Sequence, residues 1–78
     1  MNRETIFNEL TEILKLIKPS ADFSTINEES QLVRDVGLDS LTILLLSLAI
    51  ENKFKIKFEG TLKFNTVGEV IDYIQSKA

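Results

Sequence analysis

The sequence predicts an all-α domain: a small four-helix bundle of three longer helices and one short one, with a long first loop. Three observations carry that reading. Apolar residues recur at spacings of three and four in the first and last thirds of the 78-residue chain. Residues able to cap a helix stand immediately before each helical segment. The only alternating stretch, Phe54, Ile56 and Phe58 between lysines, has no second strand to pair with. The length allows one domain, taken as residues 1–78.

The first helix covers residues 3–17, where Ile6, Phe7, Leu10, Ile13, Leu14 and Ile17 form one apolar stripe. Asn2 is its candidate N-cap, and Pro19 ends it by pushing Lys18 out of helical backbone. Residues 19–38 read as a long polar connection, pinned to the core by Phe23, Ile26, Leu32, Val33 and Val36. Gly37 closes it with a backbone free to take positive φ. Asp39 then stands as N-cap of a second helix from Ser40 to about Lys53. Its apolar residues cover more than one face, which in so small a domain predicts an exposed apolar strip. Residues 54–65 read as an extended link with a brief helical turn near Gly60–Phe64. Thr66 and Glu69 fit a capping box for the last helix, whose stripe is Val67, Val70, Ile71 and Ile74. Tyr73 is expected at the edge of the core with its hydroxyl in water.

Composition removes several classes of function. The chain has no cysteine and no histidine, so it offers no disulfide, thiol nucleophile, zinc site or His-based general base. That points away from an enzyme. A net charge of −3 argues against nucleic acid as a partner. The charge is uneven: residues 1–52 hold nine acids and four bases, giving −5, and residues 53–78 hold three acids and five bases, giving +2. No signal-peptide pattern opens the sequence, and its longest apolar run is about half a bilayer span. A cytoplasmic, monomeric protein without stable membrane insertion is the expectation.

The informative segment is Asp35-Val36-Gly37-Leu38-Asp39-Ser40-Leu41. It puts a hydroxyl at the exposed start of a helix, beside a carboxylate. Free N–H groups and the positive dipole end there suit a phosphate ester on Ser40. The Asp39 carboxylate suits a hard cation accompanying a phosphate donor. Ser40 has no base of its own, so another enzyme must activate it. Taken alone, an isolated Asp-Ser pair is better read as a simple helix cap.

Gly37-Leu38-Asp39-Ser40-Leu41 resembles the attachment motif of acyl carrier proteins, and the order of elements along nearly the whole chain is similar to that family. Glu51 and Phe54 resemble the E-x-x-F that closes the second helix in many members, and Thr66-Val67 with Ile71-Asp72-Tyr73-Ile74 resembles the final helix. The resemblance implies an acyl-carrier-like fold with phosphopantetheine, delivered from coenzyme A by a phosphopantetheinyl transferase, attached covalently to Ser40. It implies acyl groups held there as thioesters and presented to acyl-loading, modifying and acyl-transfer enzymes. It gives Asp35 and Asp39 a part in transferase recognition, and makes Leu41, Thr42, Leu44, Leu45, Leu48 and Glu51 candidate partner contacts. It also makes Ile43, Leu46, Ala49, Ile50, Ile71 and Ile74 candidate lining for the acyl chain, each equally explained as plain core.

The chain departs from the family in places. Two positions that are acidic in many fatty-acid carriers, where they meet basic patches on enzymes, are Thr42 and Leu45 here. The link before the last helix also looks short, which would reduce the third helix. These departures suggest a carrier in a specialised fatty-acid, lipid or polyketide-type pathway. The alternatives are a stand-alone aminoacyl, peptidyl or D-alanyl carrier and, in another class, an unmodified helical interaction module.

Overall fold

The structure is a computed structural model that describes residues 2–58 and 64–77. Three long helices, α1 (Arg3–Ile17), α2 (Ser40–Phe54) and α3 (Val67–Lys77), and one short helix (Leu32–Val36) make an all-helical fold. Among the described residues the only extended pairing is an isolated bridge between Gln31 and Thr66.

Each long helix begins where its cap dictates. The Asn2 side chain accepts the Thr5 N–H at 2.7 Å and starts α1. The helix stops at Lys18, ahead of Pro19, where the backbone leaves helical geometry at φ −133° and ψ 71°. Thr66 and Glu69 cap α3 reciprocally: the Glu69 carboxylate accepts the Thr66 N–H at 2.8 Å, and the Thr66 hydroxyl accepts the Glu69 N–H. The Glu69 carboxyl is held below the ordinary glutamate range by the backbone N–H groups of Thr66 and Asn65.

The apolar stripes then meet in one core. Ile6, Leu10, Ile13 and Leu14 of α1 face Val67, Val70, Ile71 and Ile74 of α3, with Leu46 and Ile50 of α2 closing the third side. Leu32, Val36, Leu38 and Ile56 complete it from the connections. The Lys53 ammonium lies 3.3 Å from Glu9, which ties the end of α2 to the middle of α1. Arg3 joins α1 to Glu28 of the loop and to Asp72 and Gln75 of α3.

The long first loop is where structure and expectation part. It is bound to the start of α3, with Val67 N–H donating to the Ser30 carbonyl (3.0 Å), Gly68 N–H to Glu28 (2.8 Å) and Leu32 N–H to Asn65 (2.9 Å). Its last residues coil into the short helix, where Val36 N–H reaches back five residues to Gln31 (3.1 Å). Leu32 and Val36 are buried by that turn, and Phe23 and Ile26 are half-buried against the core. Val33, expected to be a pin, points outward and is 58% exposed. One helical turn places positions 32 and 36 inward and turns 33 away. Tyr73 differs as well: its hydroxyl donates to the Lys57 carbonyl at 3.0 Å, and its ring stacks on Phe58 with centroids 4.8 Å apart. The turn expected near Gly60–Phe64, and the suggestion that it is reduced, lie almost wholly outside the described residues.

Candidate functional site at the start of α2

The segment before α2 is built as a sharp corner. Gly37 takes a left-handed backbone, φ 88° and ψ 25°, and its N–H closes the short helix on the Leu32 carbonyl. Leu38 then turns into the core, 2% exposed, and acts as the anchor. Asp39 follows in extended backbone as N-cap of α2. Its side chain accepts the Thr42 N–H at 2.9 Å, and the Thr42 hydroxyl accepts the Asp39 N–H at 2.7 Å. With corner, anchor and cap fixed, Ser40 is left exposed at the first helical position.

Electrostatics at this corner follow from the same bonds. The Asp39 carboxyl is held below the ordinary aspartate range, chiefly by the Thr42 backbone N–H and then by its hydroxyl. The nearby Lys18 ammonium adds to the effect. The Lys18 side chain lies across Gly37, with its Cε 3.7 Å from where a Cβ would stand. The sequence reading did not connect Lys18 to this site. Only the packing of α1 beside α2 brings them together, and no local pattern encodes it. The Asp35 carboxylate accepts the Gln31 N–H at 2.7 Å, across the short helix.

The two faces of α2 are sorted as an apolar-all-round helix requires. Leu46, Ser47 and Ile50 are buried, and Ile43 and Ala49 half-buried. Leu41, Leu44, Leu45 and Leu48 are exposed at 63, 54, 45 and 53%. The predicted exposed strip is therefore present. Thr42 is committed to the cap, and the Glu51 carboxylate accepts the Phe58 N–H at 2.8 Å, tethering the chain after α2.

From Ser40 an open groove of about 490 Å³ runs past Ile43, Leu44, Ser47 and Leu48 to Glu51 and Phe58. Beneath it lies a narrow apolar crevice among Leu32, Ile43, Leu46, Ser47, Ile50, Phe58, Phe64 and Val70. Its free space is about 10 Å³, no more than one water needs. Of the proposed lining residues, Ile43, Leu46 and Ile50 reach this crevice. Ala49 does not, and α3 contributes Val70 in place of Ile71 and Ile74, which are fully buried. Ser47, Phe58 and Phe64 were not anticipated there. The alternation of Phe54, Ile56 and Phe58 carried an apolar signal, but not its direction. Among the described residues no three potential metal ligands cluster, and no helix is long and apolar enough to cross a membrane.

This architecture defines a small helical domain that presents a serine at a capped helix start. The family model described as Phosphopantetheine attachment site matches residues 4–74. Among curated proteins, the chain is 41% identical to an acyl carrier protein of Coprothermobacter proteolyticus, over 97% of this chain and 94% of that one. It is 35% identical to an acyl carrier protein of Thermotoga maritima, over 97% and 95%. It is 36% identical to the acyl carrier protein MbtL of a Mycobacterium species, over 97% and 86%. The chain belongs to the acyl carrier protein family, a phosphopantetheine-bearing carrier of acyl groups.

Proposed function

We propose that Ser40 is the residue to which phosphopantetheine is attached. The observation that carries this is its exposure at the first position of a rigidly capped helix, beside the groove leading to Phe58. The residues fit the group. The backbone N–H groups of Ser40 and Leu41 precede the first intrahelical donor, Ile43, and are left over for a phosphate by helix geometry. Lys18 supplies a cation at the same corner. When bound, the arm supplies the thiol that this cysteine-free chain lacks, and acyl groups ride on it as thioesters.

The protein's own part is to hold Ser40 outward, fix the helix dipole behind it, and offer a face for enzymes to read. It performs no chemistry itself and acts in the cytoplasm as a single carrier domain. The transferase meets the Asp39–Ser40 corner, with Asp35 nearby holding the short helix in shape. Acyl-loading, modifying and acyl-transfer enzymes meet Leu41, Leu44, Leu45 and Leu48. Ile43, Leu46 and Ile50 line the way into the bundle, while Ala49, Ile71 and Ile74 shape the core behind it. The leucine face, in place of an acidic one, supports use in a specialised pathway.

Intact mass after incubation with coenzyme A, magnesium and a broad-specificity phosphopantetheinyl transferase tests the assignment. One added phosphopantetheine on the wild type and none on Ser40→Ala is the expected result. Addition to the folded Ser40→Ala protein, or none to the wild type, overturns it.

A further inference from the structure

We propose that α2 selects enzyme docking patches that are apolar at the centre and acidic at one edge. The proposal rests on the carrier reading and names the kind of partner surface it requires. Leu41, Leu44, Leu45 and Leu48 stand at i, i+3, i+4 and i+7, so their exposed side chains form one stripe leading away from Ser40. No charged residue occurs from Ser40 to Ile50. Continued along the helix, the stripe passes Asn52 and reaches Lys55, which ends α2 in left-handed backbone at φ 56° and is exposed. Lys57, also exposed, follows.

The charges at this end are unequal in freedom. Lys53 is paired with Glu9, and the Glu51 carboxylate is engaged by the Phe58 N–H. Lys77 adds a cation nearby, its ammonium 5.7 Å from the centre of the Tyr73 ring, whose hydroxyl holds the Lys57 carbonyl. From Asn52 to Phe58 the chain carries three lysines, Lys53, Lys55 and Lys57, and no acid. A patch that covers the leucines therefore meets positive charge at the end far from Ser40, and complementarity demands acids there.

The other occupants fit less well. Four partly exposed leucines offer a few hundred Å² of apolar surface, against roughly 800 Å² per partner in a stable association. That suits a transient encounter more than self-association. Anionic lipid would meet a chain of net charge −3, with −5 in residues 1–52.

The test uses the Ser40→Ala protein, so that binding does not depend on the arm. The probe is a fatty-acid ketosynthase with a basic carrier-docking patch, compared with the same enzyme after its patch arginines and lysines are changed to glutamate. Binding is read by fluorescence anisotropy, with circular dichroism confirming the fold of each carrier variant. At least fivefold tighter binding to the acidic patch is expected, weakening with salt. In Lys55→Glu/Lys57→Glu that preference should fall to about one or invert, and Leu44→Ser/Leu48→Ser should weaken both complexes. Equal or tighter binding to the basic patch, or a preference unchanged by the lysine substitutions, overturns the proposal. So does leucine-dependent dimerisation in sedimentation, or lysine-dependent flotation with phosphatidylglycerol vesicles. The carrier reading fails separately, if the wild type gains no phosphopantetheine.

Discussion

The starts of α2 and α3 are made with the same device and put to opposite use. Each is closed by a reciprocal cap, Asp39 with Thr42 and Thr66 with Glu69. At α3 the first helical residue, Val67, is 1% exposed, and the N–H groups of Val67 and Gly68 are taken by the carbonyls of Ser30 and Glu28. At α2 the first helical residue is an exposed serine, and among the described residues no loop carbonyl takes the N–H groups of Ser40 and Leu41. A helix start is thus a structural joint when a neighbouring segment consumes its donors, and a presentation point when none does. The difference bears on the two readings of the Asp39–Ser40 pair: a cap is present, and the residue it frames is exposed.

Substitutions separate the two starts by size of effect. Val67→Ser puts a hydroxyl into the core and shortens a fully buried side chain, so urea unfolding should show a loss of about 3 kcal/mol. A loss under about 1 kcal/mol would mean that the loop does not depend on this joint. Gly37→Ala comes next, because a Cβ must occupy left-handed backbone at φ 88°. It should cost about 1–2 kcal/mol and slow modification of Ser40, since the corner aims that residue. Wild-type modification rates with the stability loss present would detach the corner from the site.

Acid should affect both starts together. Asp39 and Glu69 have carboxyl groups lowered in the folded state by hydrogen bonds from the caps. Their stabilisation is complete above the ordinary carboxylate range, near about pH 4, and is lost as the pH falls through the depressed values. Asp39→Asn and Glu69→Gln should each flatten the decline of melting temperature below that range, while lowering it at neutral pH. An unchanged slope in either variant would assign the acid response elsewhere. The smallest stability effect belongs to Ser40→Ala, within about 0.5 kcal/mol, in contrast to its complete loss of modification. A large destabilisation would return Ser40 to a structural role.

Much of this was legible in the sequence because it is local. A cap is a matter of four neighbouring residues, so Asn2, Asp39 and Thr66 could be placed without knowing what lay around them. The stripes of α1 and α3 follow from spacing, and the leucines of α2 exceed what a small core can cover. The short helix was not legible, since one turn from Leu32 to Val36 is too brief for periodicity to register. The roles of Lys18, Glu51 and Tyr73 were not legible either. Each depends on a partner brought near by folding: Gly37 and Asp39, the Phe58 amide, and the Lys57 carbonyl. Of the residues that the resemblance made candidate acyl lining, Ile43, Leu46 and Ile50 border the crevice, and Ala49, Ile71 and Ile74 do not. Spacing tells which side of α3 is inward, but not that Val70 is the residue facing α2.

The stacking of Tyr73 on Phe58 gives the molecule an internal reporter. The chain has one tyrosine and no tryptophan, so its near-ultraviolet emission comes from a single ring. That ring touches both Phe58 and Phe64, which border the crevice, and its hydroxyl is tied to the backbone beside them. Anything that enters between those phenyl rings, or draws Lys57 away, changes the polarity and hydrogen bonding of the one tyrosine. Changes at the far end of the groove can therefore be followed optically, in real time and without a label.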